Sequence, residues 1–557
     1  MTDCKSPARP RPGFRPAAAV SLVAALLVYV GCSTPIPSTE PDEPRPAAGT
    51  TVQTPPASKS AGSTTAPTEA KGTAASAETP RPPTRPLFDG WPAPAGVVVF
   101  SGEQLGYLEP CGCTQGQLGG LLRRYAVVER IRNERKWPVV LLDLGSLVKD
   151  PAQARGGPEQ AKIKFNVALK ALTTLKYDAF ALSAEDLKVG VDEAVGQFLN
   201  LPESGPKVLA ANVTATGLES KIVPSLRVAA GKVTVGVTAV IDPEALKALK
   251  DPSLDLLTPR PIDESLPSVL ADLEKDTQTQ VLMVQGPPAL AKELAGKYPG
   301  FDLVVATSVL VDPEPEPTPL NGGKTLLVNV GQKGKYIGVI GVFEGDGPKY
   351  RYQRITLNPE VDGPSGPMKK VIEDEFRETL KQQRIVENFP RHEFVSGTGG
   401  TTGSSYAGVE ACKSCHPNTV ESWAATKHAN AFESLVHDPK PNSVYDAECV
   451  TCHTTGFEFT SGWKSPELTS YLKGNQCENC HGPGSKHAAD PLNPTLRAAM
   501  HLTRDQADKN RVCLRCHDED NSPHFEFAKY WDEIEHNALD TPRENMKKLK
   551  PAAPAAK

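Results

Sequence analysis

The chain has 557 residues, 39% hydrophobic and 23% charged, which is material for roughly two or three domains rather than one. Its formal net charge of -5 offers no basic face or stripe, so a nucleic-acid partner is not expected.

Lys5, Arg9, Arg11 and Arg15 precede an apolar run from Ala17 to Val30 that ends at Gly31-Cys32. Residues 1–32 therefore read as an export signal, since the run falls short of the about 20 apolar residues of a membrane span. The run resembles a bacterial lipobox, which implies that Cys32 is lipidated and anchors the chain to a membrane. Tyr29 departs from the leucine usual in such boxes, and an ordinary cleaved signal or an uncleaved anchor are the alternatives. Residues 33–90 follow as a tether. From Ser33 to Pro86 there is no aromatic residue, and Pro, Ala, Ser and Thr dominate, so the segment cannot bury enough surface to fold and is expected to be disordered and extended.

Between residues 91 and 359, short β-rich runs alternate with helical segments. Strands are predicted at Val97–Phe100, Val139–Leu142, Ala179–Leu182, Val208–Ala211, Val233–Val240, Val281–Val284, Leu303–Ala306 and Thr325–Val330. Helices are predicted at Leu118–Lys136 and Glu159–Lys176, the second with Phe165, Leu169 and Leu172 on one face. The pattern implies an α/β sandwich with a central sheet. Cys111-Gly112-Cys113 follows the first strand on a Gly-rich loop; it suits a soft metal, a redox pair, a strained disulfide or a purely structural pair. Residues 360–405 contain a charged helix, Met368–Gln383, and a Gly/Ser/Thr run, Ser396–Gly403, read as a hinge that leaves the docking of the flanking regions unfixed. The Lys-, Pro- and Ala-rich tail, 541–557, is expected to be disordered.

Eight of the twelve cysteines lie in the last third, as Cys412/Cys415, Cys449/Cys452, Cys477/Cys480 and Cys513/Cys516, each pair followed at once by His416, His453, His481 or His517. Two thiols three positions apart can form thioethers to haem vinyls while the adjacent imidazole reaches the iron. Zinc ribbons and disulfides also use paired cysteines, but neither requires a histidine after every pair. Four haem c groups are therefore expected, in keeping with an export signal. All eleven histidines lie at or beyond His392, so His392, His428, His437, His487, His501, His524 and His536 remain as candidates for the opposite faces of four irons.

Residues 406–540 carry Tyr406-Ala407-Gly408, Trp423 with Lys427-His428-Ala429, Glu448 to His453, Gln476 to His487, Cys513 to His517, and Tyr530-Trp531 with His536. They resemble the tetraheme cytochrome c-552/c-554 family, whose type member accepts electrons from hydroxylamine oxidoreductase. The resemblance implies a mainly α and loop fold with haems as its core. It also implies that His487 is the distal ligand opposite His416, His536 opposite His481 and His428 opposite His517, leaving an open sixth site at His453. The interval from His517 to His536 is shorter than in the founding member.

The middle region resembles the calcineurin-like metallophosphoesterase domain of bacterial 5′-nucleotidases through Leu118 to Arg124, Lys176 to Leu182, Ala211-Asn212-Val213 and Gly331 to Tyr336. The family's metal ligands do not follow. Ser101-Gly102-Glu103, Gly145-Ser146, Ser183-Ala184-Glu185-Asp186, Gln285 and Ala306-Thr307-Ser308 stand in their places, so hydrolysis through a dinuclear metal site is not expected. The expected function is electron transfer with redox partner proteins, as a periplasmic or outer-membrane lipoprotein. The alternatives are an oxidoreductase acting on a small nitrogen or sulfur compound at the second haem, and, disfavoured, a 5′-nucleotidase-like phosphohydrolase. The middle region then serves as scaffold or as binder.

Overall fold

The computed structural model describes residues 86–110, 117–395, 399–536, 539, 540 and 545. The leader with Cys32, nearly all of the tether, Cys111 and Cys113, and most of the tail lie outside the described residues.

Folded structure begins slightly before the predicted boundary at 91. Phe88 is buried, with its ring 5.3 Å from that of Trp91 and 5.0 Å from that of Trp137, because an aromatic at the end of an apolar-poor segment gains most by docking on the nearest core. All eight predicted strands are present. They lie in two sheets rather than one central sheet. The first runs Tyr350–Thr356, Tyr336–Val342, Gly96–Ser101, Val139–Asp143, Ala179–Ala181, Lys207–Leu209, Ile222–Val223. The second runs Thr318–Leu320, Thr325–Asn329, Leu303–Ala306, Thr279–Gln285, Val233–Ile241, Ser225–Ala230. Strands missed in the sequence include Tyr336–Val342, in which Gly338 and Gly341 dilute the β signal, and the edge strands Tyr350–Thr356 and Ser225–Ala230.

Alternation within single strands explains the layering. Val98 and Phe100 face the second sheet, with Val237, Met283 and Val305, while Val97 and Val99 face helices Leu121–Glu129 and Gly157–Leu175. Leu282, Val284 and Val304 of the second sheet face Leu266, Leu270 and Leu294 on the outer helices. The middles of strands covered on both faces are apolar, as from Val97 to Phe100 and from Val281 to Val284, while polar residues such as Thr279 and Gln285 fall at the ends. In both sheets the central strands are parallel, so their C-terminal ends open onto one common edge.

The charged segment forms a continuous helical run, Gly366–Lys370, Val371–Glu378 and Thr379–Gln382. It does not serve as a loose hinge. Met368, Val371, Ile372, Phe376 and Leu380 recur at helical spacing and are all buried against the α/β core. Arg377, 4% exposed, pairs with Asp446 at 2.8 Å and with Glu109, which fixes the docking of the C-terminal region. The Gly/Ser/Thr stretch is described except for residues 396–398.

The C-terminal region is built from helices of five to eight residues, among them Pro417–Ala424, Ala431–Val436, Ala447–His453, Cys477–His481 and Phe527–Ile534. Its apolar patch, Phe432, Leu435, Val450, Phe457, Trp463 and Leu472, is continuous with the α/β core. Among the described residues no helix is long and apolar enough to cross a membrane.

Candidate metal centre

Each Cys-x-x-Cys-His motif sits on about one turn of helix. Asp446 accepts a hydrogen bond from Glu448 N and so caps helix Ala447–His453, which carries Cys449, Cys452 and His453. The third motif is helix Cys477–His481 itself. In the first and fourth, His416 N donates to Cys412 O and His517 N to Cys513 O, each at 2.9 Å. Positions i, i+3 and i+4 lie on one helical face, so both thiols and the imidazole address the same side.

The imidazoles are oriented from behind. His453 Nδ1 lies 2.6 Å from Ala431 O, His481 Nδ1 2.7 Å from Met500 O, and His517 Nδ1 2.9 Å from Ser522 Oγ. A carbonyl partner makes Nδ1 the donor and leaves the Nε2 lone pair free for a metal. Burial also holds His416, His428, His453, His481, His487 and His517 below the usual histidine range, which favours the neutral, ligating form.

The rings of His428 and His517 have centres 6.0 Å apart, and those of His481 and His536 5.8 Å. Metal–nitrogen bonds of about 2 Å on each side would put two axial imidazole centres about 6 Å apart, so an iron fits between each pair. His487 lies near His416, and its Nδ1 is buried without a protein partner. His453 stands apart: its neighbours are Ala431, Ser434 and Asp438, and among the described residues no ring contact joins it to a second histidine. His392 packs its ring on Phe459 at 4.8 Å, and His437, His501 and His524 are exposed.

The thiols connect the motifs. Cys412 is in hydrogen-bond reach of Cys477 and Cys452 of Cys516, while Cys480 lies close to both Cys513 and Cys516. The motifs thus follow one another in space as first, third, fourth and second.

In the α/β region the residues matched to metal-ligand positions do converge at the shared strand edge, but they bond to one another. Glu103 Oε2 accepts from Ser308 N at 2.6 Å, Ser146 Oγ meets Ser183 Oγ at 3.0 Å, and Gln285 Nε2 donates to Leu144 O. Gly145 has φ +83° there, and a Cβ would stand 2.5 Å from Ala181 O, so only glycine fits. Burial pushes the Glu103 and Asp186 carboxyls up to about 8. Arg124, which closes the matched run from Leu118 but takes no role from that resemblance, is 1% exposed and lies 3.4 Å from both Asp143 Oδ2 and Ser101 Oγ, with Asp143 Oδ2 accepting from Ser101 Oγ at 2.5 Å. The Arg124 guanidinium supplies positive charge at this edge.

The two regions also meet at polar and charged residues whose pairing sequence reading missed, since lysines and arginines look like ordinary solvated charges on helix and loop alike. Gln160 bonds Asp446 at 2.7 Å and Lys164 bonds Glu448 at 2.6 Å. Arg155 bonds Asp518, and Lys333 and Tyr107 bond Asp520.

Residues 411–482 match the family model described as cytochrome c554 and c-prime. A segment of 108 residues is 34% identical to cytochrome c-554 of Nitrosomonas europaea, covering 17% of this chain and 46% of that protein, so the chain spans about half the length of this curated relative. Among solved structures, a 5′-nucleotidase precursor of Thermus thermophilus aligns with a TM-score of 0.42 at 18% identity, over 54% of this chain and 61% of that one. The sulfate thiohydrolase SoxB of the same organism aligns with a TM-score of 0.44 at 13% identity, over 55% and 63%.

Proposed function

We infer, from a C-terminal region that carries a cytochrome c554 domain, that this chain relays electrons through four covalently bound haems on the exported side of a membrane, tethered there through Cys32. The observation that carries the reading is the closeness of thiols from different motifs, which brings the four motifs into one continuous series. Haem c bound at these sites supplies one-electron chemistry at a potential set by axial ligands and surroundings. Cys412, Cys415, Cys449, Cys452, Cys477, Cys480, Cys513 and Cys516 would hold it covalently, with His416, His453, His481 and His517 as proximal ligands and His487, His536 and His428 opposite the first, third and fourth of these. The backbone carbonyls of Ala431 and Met500 keep two proximal rings in the ligating tautomer.

The isolation of His453 favours a second reading, an oxidoreductase that binds a small nitrogen or sulfur compound at the second haem. Pyridine-haemochrome counting with EPR on the exported protein separates the possibilities. Four haems, with three low-spin irons and one that responds to cyanide or nitric oxide, fit the ligand set with reactivity at His453. Four low-spin irons without response leave the relay alone, and fewer than four haems refute both.

A further inference from the structure

The loop after the fourth motif is held by the α/β region. On one side Arg155 Nη2 donates to Asp518 Oδ2 at 2.7 Å and to Arg515 O at 3.2 Å, while its Nη1 lies 3.7 Å from Cys452 Sγ of the second motif. On the other, Lys333 Nζ pairs with Asp520 Oδ1, Tyr107 OH donates to Asp520 Oδ2 at 2.7 Å, and Gln117 Nε2 donates to Asp520 O at 3.4 Å. Lys333 is itself fixed, because its backbone sits at φ +62° and its N–H donates to Glu103 O at 2.8 Å.

Between these anchors the loop folds onto Asp518. Its Oδ1 accepts from Asp520 N at 3.1 Å and Asn521 N at 2.8 Å, and its carbonyl accepts from Ser522 N at 2.8 Å. Ser522 Oγ then meets His517 Nδ1. The turn that orients the fourth proximal imidazole therefore rests on two carboxylates whose cationic partners belong to the other region. The pairs are shielded: side-chain exposure is 30% and 32% for Arg155 and Asp518, and 18% and 22% for Lys333 and Asp520. At such depth their charges act on neighbours with less screening than surface pairs do.

We propose that the α/β region is an electrostatic clamp on the fourth haem site, with Arg155 and Lys333 as positioning residues that set the reduction potential of the haem held by His517. The proposal rests on the relay reading. A cation beside a redox centre favours its reduced form and a carboxylate its oxidised form; in the clamp the two signs offset each other. Removing Arg155 or Lys333 takes one positive charge from beside the site and leaves the carboxylate, and removing the charge of Asp520 leaves the ammonium.

The test is a reductive titration of the full-length, haem-loaded chain, followed by visible absorption and EPR. Arg155→Gln and Lys333→Gln should each move one reductive step to lower potential, and Asp520→Asn should move the same step to higher potential. The double variant Lys333→Gln/Asp520→Asn should return it toward the parent value. Tyr107→Phe removes a single hydroxyl and should give a smaller shift of that step even if the charge variants lose haem. Unmoved steps in fully loaded variants would overturn the clamp, as would shifts of one sign for both Arg155→Gln and Asp520→Asn, the outcome of a merely loosened loop. A parent chain that carries no haem on Cys513 and Cys516 would overturn the relay reading and the clamp together.

Discussion

The α/β region and the C-terminal region make an interior in different ways. The first closes over its own side chains: Val97 to Phe100 are buried on both faces of one strand, and Phe165, Phe180 and Phe198 interlock with centroids 5.8–6.2 Å apart. The second has helices of five to eight residues, too short to be stable alone, and histidine rings that face each other across about one metal's width. One region packs its described interior from its own side chains, while the other leaves its cysteines and histidines turned toward one another, as a covalently bound haem c requires. Burial is thus encoded twice, once by apolar alternation and once by cysteine spacing.

The sharpest way to break this contrast is to block haem attachment. Cys477→Ser/Cys480→Ser should lose one haem by pyridine-haemochrome assay and remove amide-exchange protection across the C-terminal helices. The strands Gly96–Ser101 and Thr279–Gln285 should keep theirs. Next in size is the joint between the regions. Arg377→Ala leaves the Asp446 carboxylate buried without its ion pair, and should cost about 3–5 kcal/mol and split one denaturant transition into two.

A smaller effect follows from Glu103, whose carboxyl is raised from 4.5 to about 8 by burial. Because folding favours the protonated form, its contribution is fully present below pH 4.5 and is lost as the pH rises to about 8. Glu103→Gln should flatten the stability profile across that window, gaining roughly 1–3 kcal/mol at pH 8 relative to pH 5, as read from urea midpoints. The smallest is local to the second region. Thr503→Ala removes the capping box of helix Arg504–Lys509 and should cost about 1 kcal/mol in a thermal melt.

Much of this architecture is legible in the amino-acid sequence. The apolar runs at Val97, Val139 and Val281 mark strands because their burial on both faces demands continuous hydrophobicity. The cysteine spacing marks the proposed attachment sites because thioether chemistry would dictate it. The second sheet is not legible as separate, since strand pattern reports burial and not which sheet a strand joins. The pairings of Arg124, Arg155, Lys333 and Arg377 are also invisible there: a buried or bridging cation has the same letter as a solvated one, and only its distant partners reveal it. Arg377 shows this best, with partners 268 and 69 positions away.

That separation ties three distant stretches of chain to one buried charge. Glu109 precedes Arg377 and Asp446 follows it, capping the helix that bears Cys449, Cys452 and His453. Without Asp446 half of a buried guanidinium fork would face no counter-charge, so that helix cannot lift from the α/β core without stranding an ion in the interior.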